Sequence, residues 1–390
     1  MPVKNRFAEL LPEIVAWRHD FHAHPELQYD VQRTAALVAE LLREFGLDEV
    51  IEGIGKTGVV GVIRGRSDST SQVIGLRADM DALPIHEATG VEYASQIPGK
   101  MHACGHDGHM AMLLGAAKYL AGTRNFDGTA IVIFQPAEEG GAGGQAMIED
   151  GLADRWNIQE FYGLHNMPGL PIGHFAIREG RIMAAADEFE IIVNGKGGHA
   201  ASPNDCVDTL LVASQIIVSM QSVVARNIDP LKSGVVSCCV VETDSTAHNV
   251  IPQTVRILGT ARSLDPDVRE VQAQAIRRIA ESTATALGAR AELCYRCGYP
   301  VTSNHPEPTR HAVKAARSIS AGVNDNVAPM MAGEDFSFML NTRPGAYIFL
   351  GNGDSAMLHH PEYDFNDEAI PFGSSWLVSI IETRMPVDPS

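Results

Sequence analysis

EFEIIVNG (188–195) opens, and RAELCYRC (290–297) closes, a run with its own rhythm inside the 390-residue chain. Between these two strand-like segments lie an apolar helix over 207–226, the strands VVSCCVVE (235–242) and QTVRILGTAR (253–262), and a helix over 267–287. The order is βαββαβ, the split βαβ pattern of a ferredoxin-like sandwich, complete in itself over about 110 residues. Upstream, apolar residues recur at helical spacing from Phe7 to Trp17 and from Val31 to Phe45, stopping at Gly46. Then come β-branched runs at GVVGVIRG (58–65), VIGLRAD (73–79), TAIVIFQ (129–135) and FYGLH (161–165), with helices expected over 110–121 and 144–150. Near-continuous apolar strands alternating with helices predict a sheet buried on both faces and mostly parallel.

After Pro300 the alternation resumes with a helix at 307–321, AYIFLG (346–351) and a helix at 368–383. A stretch of ~90 residues is short for an independent doubly wound sheet, so it should complete the first one. The expected architecture is an α/β catalytic domain over 1–181 and 298–390, interrupted at 182–297 by an inserted α+β ferredoxin-like domain, with crossings near Gly180 and Pro300.

Composition sets outer bounds: 45% hydrophobic, 20% charged and 6% aromatic residues are those of a soluble globular protein. A formal charge of −18 repels polyanions, so neither nucleic acid nor an anionic membrane is an expected partner. Six scattered cysteines do not make a disulfide scaffold, and MPVKNRFAELLPEIVAW lacks a cationic stretch followed by an apolar core. A cytoplasmic location is therefore expected. TLLVASQIIVSMQSVVA (209–225) is interrupted by Ser and Gln and is shorter than the ~20 residues of a membrane span, so it reads as a largely buried helix.

Three motifs suggest chemistry and fail on inspection. GIGKTG (53–58) has Val50 where a phosphate loop needs Gly, and reads as a turn. GAGGQA (141–146) has dinucleotide-loop spacing, but Glu138 and Glu139 at its mouth would repel a pyrophosphate. Cys294 and Cys297 have no second ligand pair nearby and read as strand residues.

One constellation survives. MHACGHDGHM (101–110) sets Cys104 and His106 two apart, beside His102, Asp107 and His109, in what reads as the loop before helix 110–121. Thiolate, imidazole and carboxylate together suit a divalent transition metal. Glu138 and Glu139 follow strand 129–135 at its C-terminal end, where open α/β sheets bind ligands. Adjacent side chains there diverge, so one carboxylate can coordinate while the other moves a proton. His165 ends strand 161–165, and His359 and His360 precede the last helix.

These residues carry a resemblance. RADMDALP (77–84), MHACGHDGH (101–109), QPAEEGGAGG (135–144), GLHN (163–166), GKGGHAA (195–201), HNVIP (248–252) and GEDFSFM (333–339) resemble the dinuclear metallo-amidohydrolases that include hippurate hydrolases, bacterial aminoacylases and indole-acetyl-amino-acid hydrolases. The likeness runs in order from HAHPEL (22–27) to YDFND (363–367). It implies the interrupted architecture, and hydrolysis of N-acyl amino acids by a metal-activated water. It also implies two divalent ions per chain, held by Cys104, His106, Glu139, His165 and His359, with Glu138 as general base. Zinc or manganese is expected, with cobalt or nickel allowed.

Where many of the wider clan carry His-x-Asp with the His on a metal, this chain has Arg77-x-Asp79. Cys104 must then complete the ligand set, and Asp79 resembles a residue that orients a ligand or the base. Asn249 and Arg262 are expected to support the site or bind substrate. The resemblance further implies that His199 reaches the site of a neighbouring subunit to stabilise the oxyanion, and with it a homodimer or dimer of dimers. VVSCCVVE could pair edge to edge between copies or lie inside one sheet. Two alternatives stay open: di- or carboxypeptidase cleavage of small peptides at the same site, and a hydrolase with Cys104 as nucleophile.

Overall fold

The computed structural model describes residues 5–387. In chain order the first stretch holds α1 (Arg6–Ala23), α2 (Gln32–Glu44), β1 (Glu49–Ile54), β2 (Gly58–Arg64), β3 (Val73–Asp79), α3 (His106–Thr123), β4 (Thr129–Gln135), α4 (Gly143–Glu149), α5 (Leu152–Arg155), β5 (Glu160–Pro168) and β6 (Phe175–Ala176). The middle stretch holds β7 (Gly180–Met183), β8 (Ala185–Asn194), β9 (Gly198–His199), α6 (Thr209–Ser222), β10 (Gly234–Thr243), β11 (Val250–Ile251), β12 (Thr254–Ser263), α7 (Pro266–Ala286) and β13 (Arg290–Tyr299). The last holds β14 (Thr302–Asn304), α8 (Pro306–Ile319), β15 (Val323–Asn324), α9 (Phe336–Thr342), β16 (Gly345–Gly353) and α10 (Ile370–Arg384).

The chain divides into two compact units. Unit 1 comprises residues up to Ile182, Ser303–Ala328 and the chain from Asp335 on. Its sheet runs β1-β2-β4-β3-β5-β16-β6-β15. The central pairs β4/β3, β3/β5 and β5/β16 are parallel, while β1/β2 and β2/β4 are antiparallel. β3 and β4 are buried at six of seven positions, as a strand covered on both faces must be. Phe21, Leu42, Leu113, Leu120, Phe134, Tyr162, Trp376 and Ile380 belong to the core that packs around this sheet.

Unit 2 spans Met183–Thr302 and takes in Pro329–Glu334. Its four strands are antiparallel in the order β10-β12-β8-β13, with α6 and α7 contributing to one core. β8 shows the cause in miniature. Phe189, Ile191 and Val193 are buried and alternate with half-buried Glu190 and Ile192.

The structure departs from the sequence reading in four places. The middle segment extends past residue 297, because β13 continues to Tyr299 and unit 2 to Thr302. Pro329–Glu334 groups with unit 2 although it lies within the stretch assigned to the first domain. The helix expected from residue 110 begins at His106, so Asp107 and His109 are helical; Gly105 takes the left-handed N-cap (φ 86°) and Asp107 puts negative charge in the first turn. The apolar helix over 209–225 is not largely buried: Val212, Ala213, Ile216 and Met220 face the core, while Leu210, Leu211 and Val218 are 45%, 53% and 67% exposed. VVSCCVVE lies in β10, an edge strand of its sheet.

Candidate metal centre

The chemistry gathers at the C-terminal ends of the parallel strands of unit 1. β3 ends at Asp79, β4 leads through Pro136 and Ala137 to the two glutamates, β5 carries His165, and α3 starts at His106. The ligand atoms of Cys104, His106 and His165 lie within 4.8 Å of one another, as do those of Cys104, Glu139 and His359, and those of His106, Glu138 and Glu139. These three overlapping groups contain every residue expected as a ligand or as the base. Asp79, His106 and His109 form another such group.

Each imidazole is oriented from behind. His106 donates its Nδ1–H to the carbonyl of Asp81 (2.7 Å), and its Nε2 is buried without a hydrogen-bond partner. His165 donates Nδ1–H to the Asn166 carbonyl (2.7 Å), and its Nε2 stands 3.4 Å from Cys104 Sγ. His359 has left-handed backbone (φ 65°), donates its backbone N–H to Ala103 O (2.7 Å) and sets Nε2 3.1 Å from Glu139 Oε1. An unpartnered inward nitrogen on a buried imidazole whose other nitrogen is tied to a carbonyl suits a metal ion, which would take the place of any proton there, and the surrounding thiol and carboxylates are further donors of the right kind. The residues present therefore fit a pair of divalent ions.

Asp81 sets the glutamate pair. Its Oδ1 accepts from Glu138 N (2.9 Å) and its Oδ2 from Glu139 N (3.0 Å), so one buried carboxylate fixes both backbones. Sequence reasoning missed this residue; the only signal was a second Asp two positions beyond Asp79, past the strand end. Asp79 is held by Arg77 Nη1 (2.7 Å) and His109 Nδ1 (2.6 Å). Arg77 and Gln135 in turn bind Asp335, whose Oδ2 accepts from Gly144 N (2.7 Å) and so anchors the start of α4.

The electrostatics are those of a site built for added positive charge. Burial, with Glu139 and Glu138 beside it, pushes the Cys104 thiol well above its usual range. Burial and the neighbouring His109 push His165 well down. Burial opposes a proton on His106, but Asp79 and Asp81 outweigh it and raise the group to about 10. Burial tends to raise Glu139, yet His359 and His106 hold it low.

Behind α3 a second buried cluster braces the loop. His22 donates Nδ1–H to Asp107 (2.8 Å) and Nε2–H to Glu87 (3.3 Å), and Arg18 reaches Asp107 at 3.2 Å. Burial disfavours a charged imidazole, but the hydrogen bonds and charges of Asp107 and Glu87 raise His22 from 6.5 to about 9. The raised value means a stabilising contribution that is complete below about pH 6.5 and is lost as pH rises through about 9, at most about 3 kcal/mol. Melting temperature should accordingly fall more steeply for the wild type than for His22→Gln as pH rises across that window; parallel curves would remove the cluster from the stability account.

Unit 2 holds the remaining predicted residues. β9 pairs with β11 in the register His199↔Val250, and Ala200 N donates to Asn249 O (3.0 Å), so His199 and Asn249 share one exposed loop pair. His199 Nδ1 accepts from Ala201 N (3.0 Å), which places the ring proton on Nε2. Arg262 lies apart on β12, donating to the carbonyls of Asp187 (3.3 Å) and Ala261 (3.1 Å) and to Thr260 Oγ1. Cys294 and Cys297 both lie in β13, and all six thiols of the chain are free.

Thiol, imidazole and carboxylate donors converge at the C-terminal ends of parallel strands, beside an acidic pair, and form a candidate metal centre. Residues 75–383 match the Peptidase family M20/M25/M40, and the chain belongs to that family of hydrolases. It is 42% identical over 381 residues to the hippurate hydrolase of Campylobacter jejuni, covering 95% of this chain and 98% of the relative. It is likewise 42% identical over 354 residues to thermostable carboxypeptidase 2 of Saccharolobus solfataricus, covering 90% of this chain and 88% of that one. A solved Bacillus subtilis structure, a dinuclear metal-binding peptidase of the M20 family, superposes with a TM-score of 0.83 at 32% identity, covering 97% of this chain and 99% of that chain. The protein is an amidohydrolase of this type, and its candidate ligand groups accord with dinuclear metal binding in that neighbour.

Removing one ligand should lower metal content. Cys104→Ala and His106→Ala should each bind fewer than two ions per chain by elemental analysis while retaining wild-type circular dichroism. Full stoichiometry in both would exclude them as ligands.

Proposed function

We propose that this chain hydrolyses the amide bond of N-acyl amino acids, with two divalent ions held by Cys104, His106, Glu139, His165 and His359, and Glu138 as the general base. The observation that carries the reading is the shared anchor of the glutamate pair. One Asp81 carboxylate fixes both backbones, so Glu139 joins Cys104 and His359 while Glu138 lies beside His106. Divalent ions bound here would lower the pKa of water toward about 7 and polarise the scissile carbonyl. The Glu138 carboxylate would take the proton of the attacking water and return it to the departing amine nitrogen. His199, with its ring proton on Nε2, is equipped to donate a hydrogen bond to the tetrahedral oxyanion. Asp79 holds His109 rather than acting as a ligand, and Asn249 and Arg262 support the site or bind substrate. Zinc or manganese suits the mixed sulfur, nitrogen and oxygen donors best.

The further reading is that unit 2 is a ferredoxin-like lid and dimerisation domain and that His199 serves the partner subunit's site. Edge strand β10 exposes Val240 and Val241 (39% and 45%), and α6 exposes Leu211 and Val218, an apolar surface that a second copy would cover. Six free thiols support a reducing, cytoplasmic location.

A Cys104 nucleophile is disfavoured on physical grounds. A catalytic thiolate needs a lowered pKa, whereas burial and the carboxylates of Glu139, Glu138 and Asp79 raise this one and His165 is pushed down. Peptide cleavage is the second reading, favoured by the equal identity to a carboxypeptidase. A panel of N-acetyl and N-benzoyl amino acids against small peptides, assayed on metal-reconstituted protein, decides between them. Turnover of the acyl amino acids is expected, abolished by chelator and restored by divalent ion. Turnover of peptides alone would transfer the assignment to a peptidase.

A further inference from the structure

MHACGHDGHM contains more metal-binding side chains than the ligand set uses, and His109 is among the unused ones. Its ring is buried (1% exposed) on the first turn of α3, with its centroid 4.6 Å from that of His165 and 5.5 Å from that of His106. Both of its nitrogens are committed elsewhere. Nδ1–H donates to Asp79 Oδ1 (2.6 Å), and Nε2 accepts from the backbone N–H of Asn166 (3.0 Å) with the Asn166 amide nitrogen at 3.1 Å. A ring nitrogen that accepts a backbone N–H has no lone pair left for a metal.

Asn166 carries the connection onward. Its Nδ2 donates to the carbonyl of Cys104 (2.6 Å), and its Oδ1 accepts from the hydroxyl of Tyr363 (2.7 Å). Its own carbonyl is the acceptor that orients His165. Gly105 is what lets the amide in: a Cβ at this left-handed position would collide with Asn166 Nδ2 and Tyr363 Oη. Asn166 and Asp79 are both fully buried. The result is a continuous buried chain, Arg77–Asp79–His109–Asn166–Tyr363. It touches the loop of Cys104, the strand of His165 and the segment between His359 and α10, three parts of the chain far apart in sequence.

We propose that His109 is a positioning residue: through Asn166 it sets the Cys104 carbonyl, the His165 ring and the His359 segment in register, so that the metal donors are arranged before an ion arrives. The proposal rests on the metal-site reading above and adds to it a residue that binds neither metal nor substrate. Outer hydrogen bonds of this kind typically change metal affinity by about 10–100-fold.

The test uses the full chain in three variants. His109→Leu breaks both hydrogen bonds, His109→Gln restores a donor and an acceptor on a side chain of similar reach, and Tyr363→Phe removes only the hydroxyl at the far end. Zinc affinity is measured by chelator competition, the cobalt(II)-thiolate absorption band reports the geometry at Cys104, and melting of the metal-free protein monitors the fold. His109→Leu is expected to weaken zinc binding by about 10–100-fold and to shift the cobalt band. His109→Gln should recover part of both, and Tyr363→Phe should move both in the same direction by less. A purely structural histidine would lower the melting temperature and leave the cobalt band of the folded fraction unchanged, which would overturn the proposal. Should His109→Leu fail to fold, Tyr363→Phe decides, since wild-type affinity and band in that variant would equally overturn it. A wild-type protein that binds neither zinc nor cobalt would instead defeat the metal-site reading, and this inference with it.

Discussion

Glu138→Gln should lower kcat by about 10² to 10⁴ with metal content near two per chain, because the substitution removes a proton acceptor and little else. The fold gives this expectation its sharpness. Glu138 is anchored through its backbone N–H on Asp81, a contact that the amide side chain leaves intact. The neighbouring Glu139 keeps the same anchor and its pairing with His359, so the ligand set should survive. Steady-state kinetics on metal-quantified protein separates the outcomes. A fall in kcat with unchanged metal supports the base. A parallel loss of metal would make Glu138 a ligand, and unaltered kcat would place the base elsewhere.

His199→Ala should cost about 10² to 10³ in kcat with metal and fold retained, the range seen when an oxyanion donor is lost. An exposed loop histidine without a catalytic role would cost little, so the magnitude itself discriminates. Mixed dimers then test whether the donor acts across an interface. In a heterodimer of a Glu138→Ala chain with a His199→Ala chain, donation in trans leaves one site with both groups, so two inactive variants should regain up to about half the activity per dimer. If differently tagged chains co-purify and remain inactive, donation in trans is refuted. If no dimers form at all, donation in trans is likewise refuted.

Much of this architecture was legible in the chain because strand burial writes itself into composition. TAIVIFQ and GVVGVIRG read as strands covered on both faces, and both lie in the buried sheet of unit 1. Short strands were not legible: Phe175–Ala176 and Val323–Asn324 are two residues each, too brief for any periodicity, and are held by partners distant in sequence. The start of α3 was misplaced because Cys-Gly-His-Asp-Gly-His has no apolar period. What makes it helical is a left-handed glycine cap and the burial of its polar residues against α1 and the site. The outer face of α6 was misjudged for the opposite reason, since an apolar sequence does not say whether its second face is covered by its own chain.

The sequence by itself determined the types of donor and their approximate places: thiol, imidazole and carboxylate residues at the ends of strands and at a helix start. These are properties of local pattern, and local pattern is what a linear chain records. The tertiary structure decided which atoms of those residues face inward. His106 and His109 lie three positions apart on one helix and are the same residue type, yet one presents an unpartnered Nε2 and the other has both nitrogens bound. Nothing near them in the sequence separates the two. The difference comes from Asp81, just past the end of β3, and Asn166 on β5, and a hydrogen bond between residues tens of positions apart exists only once the chain has folded to make it.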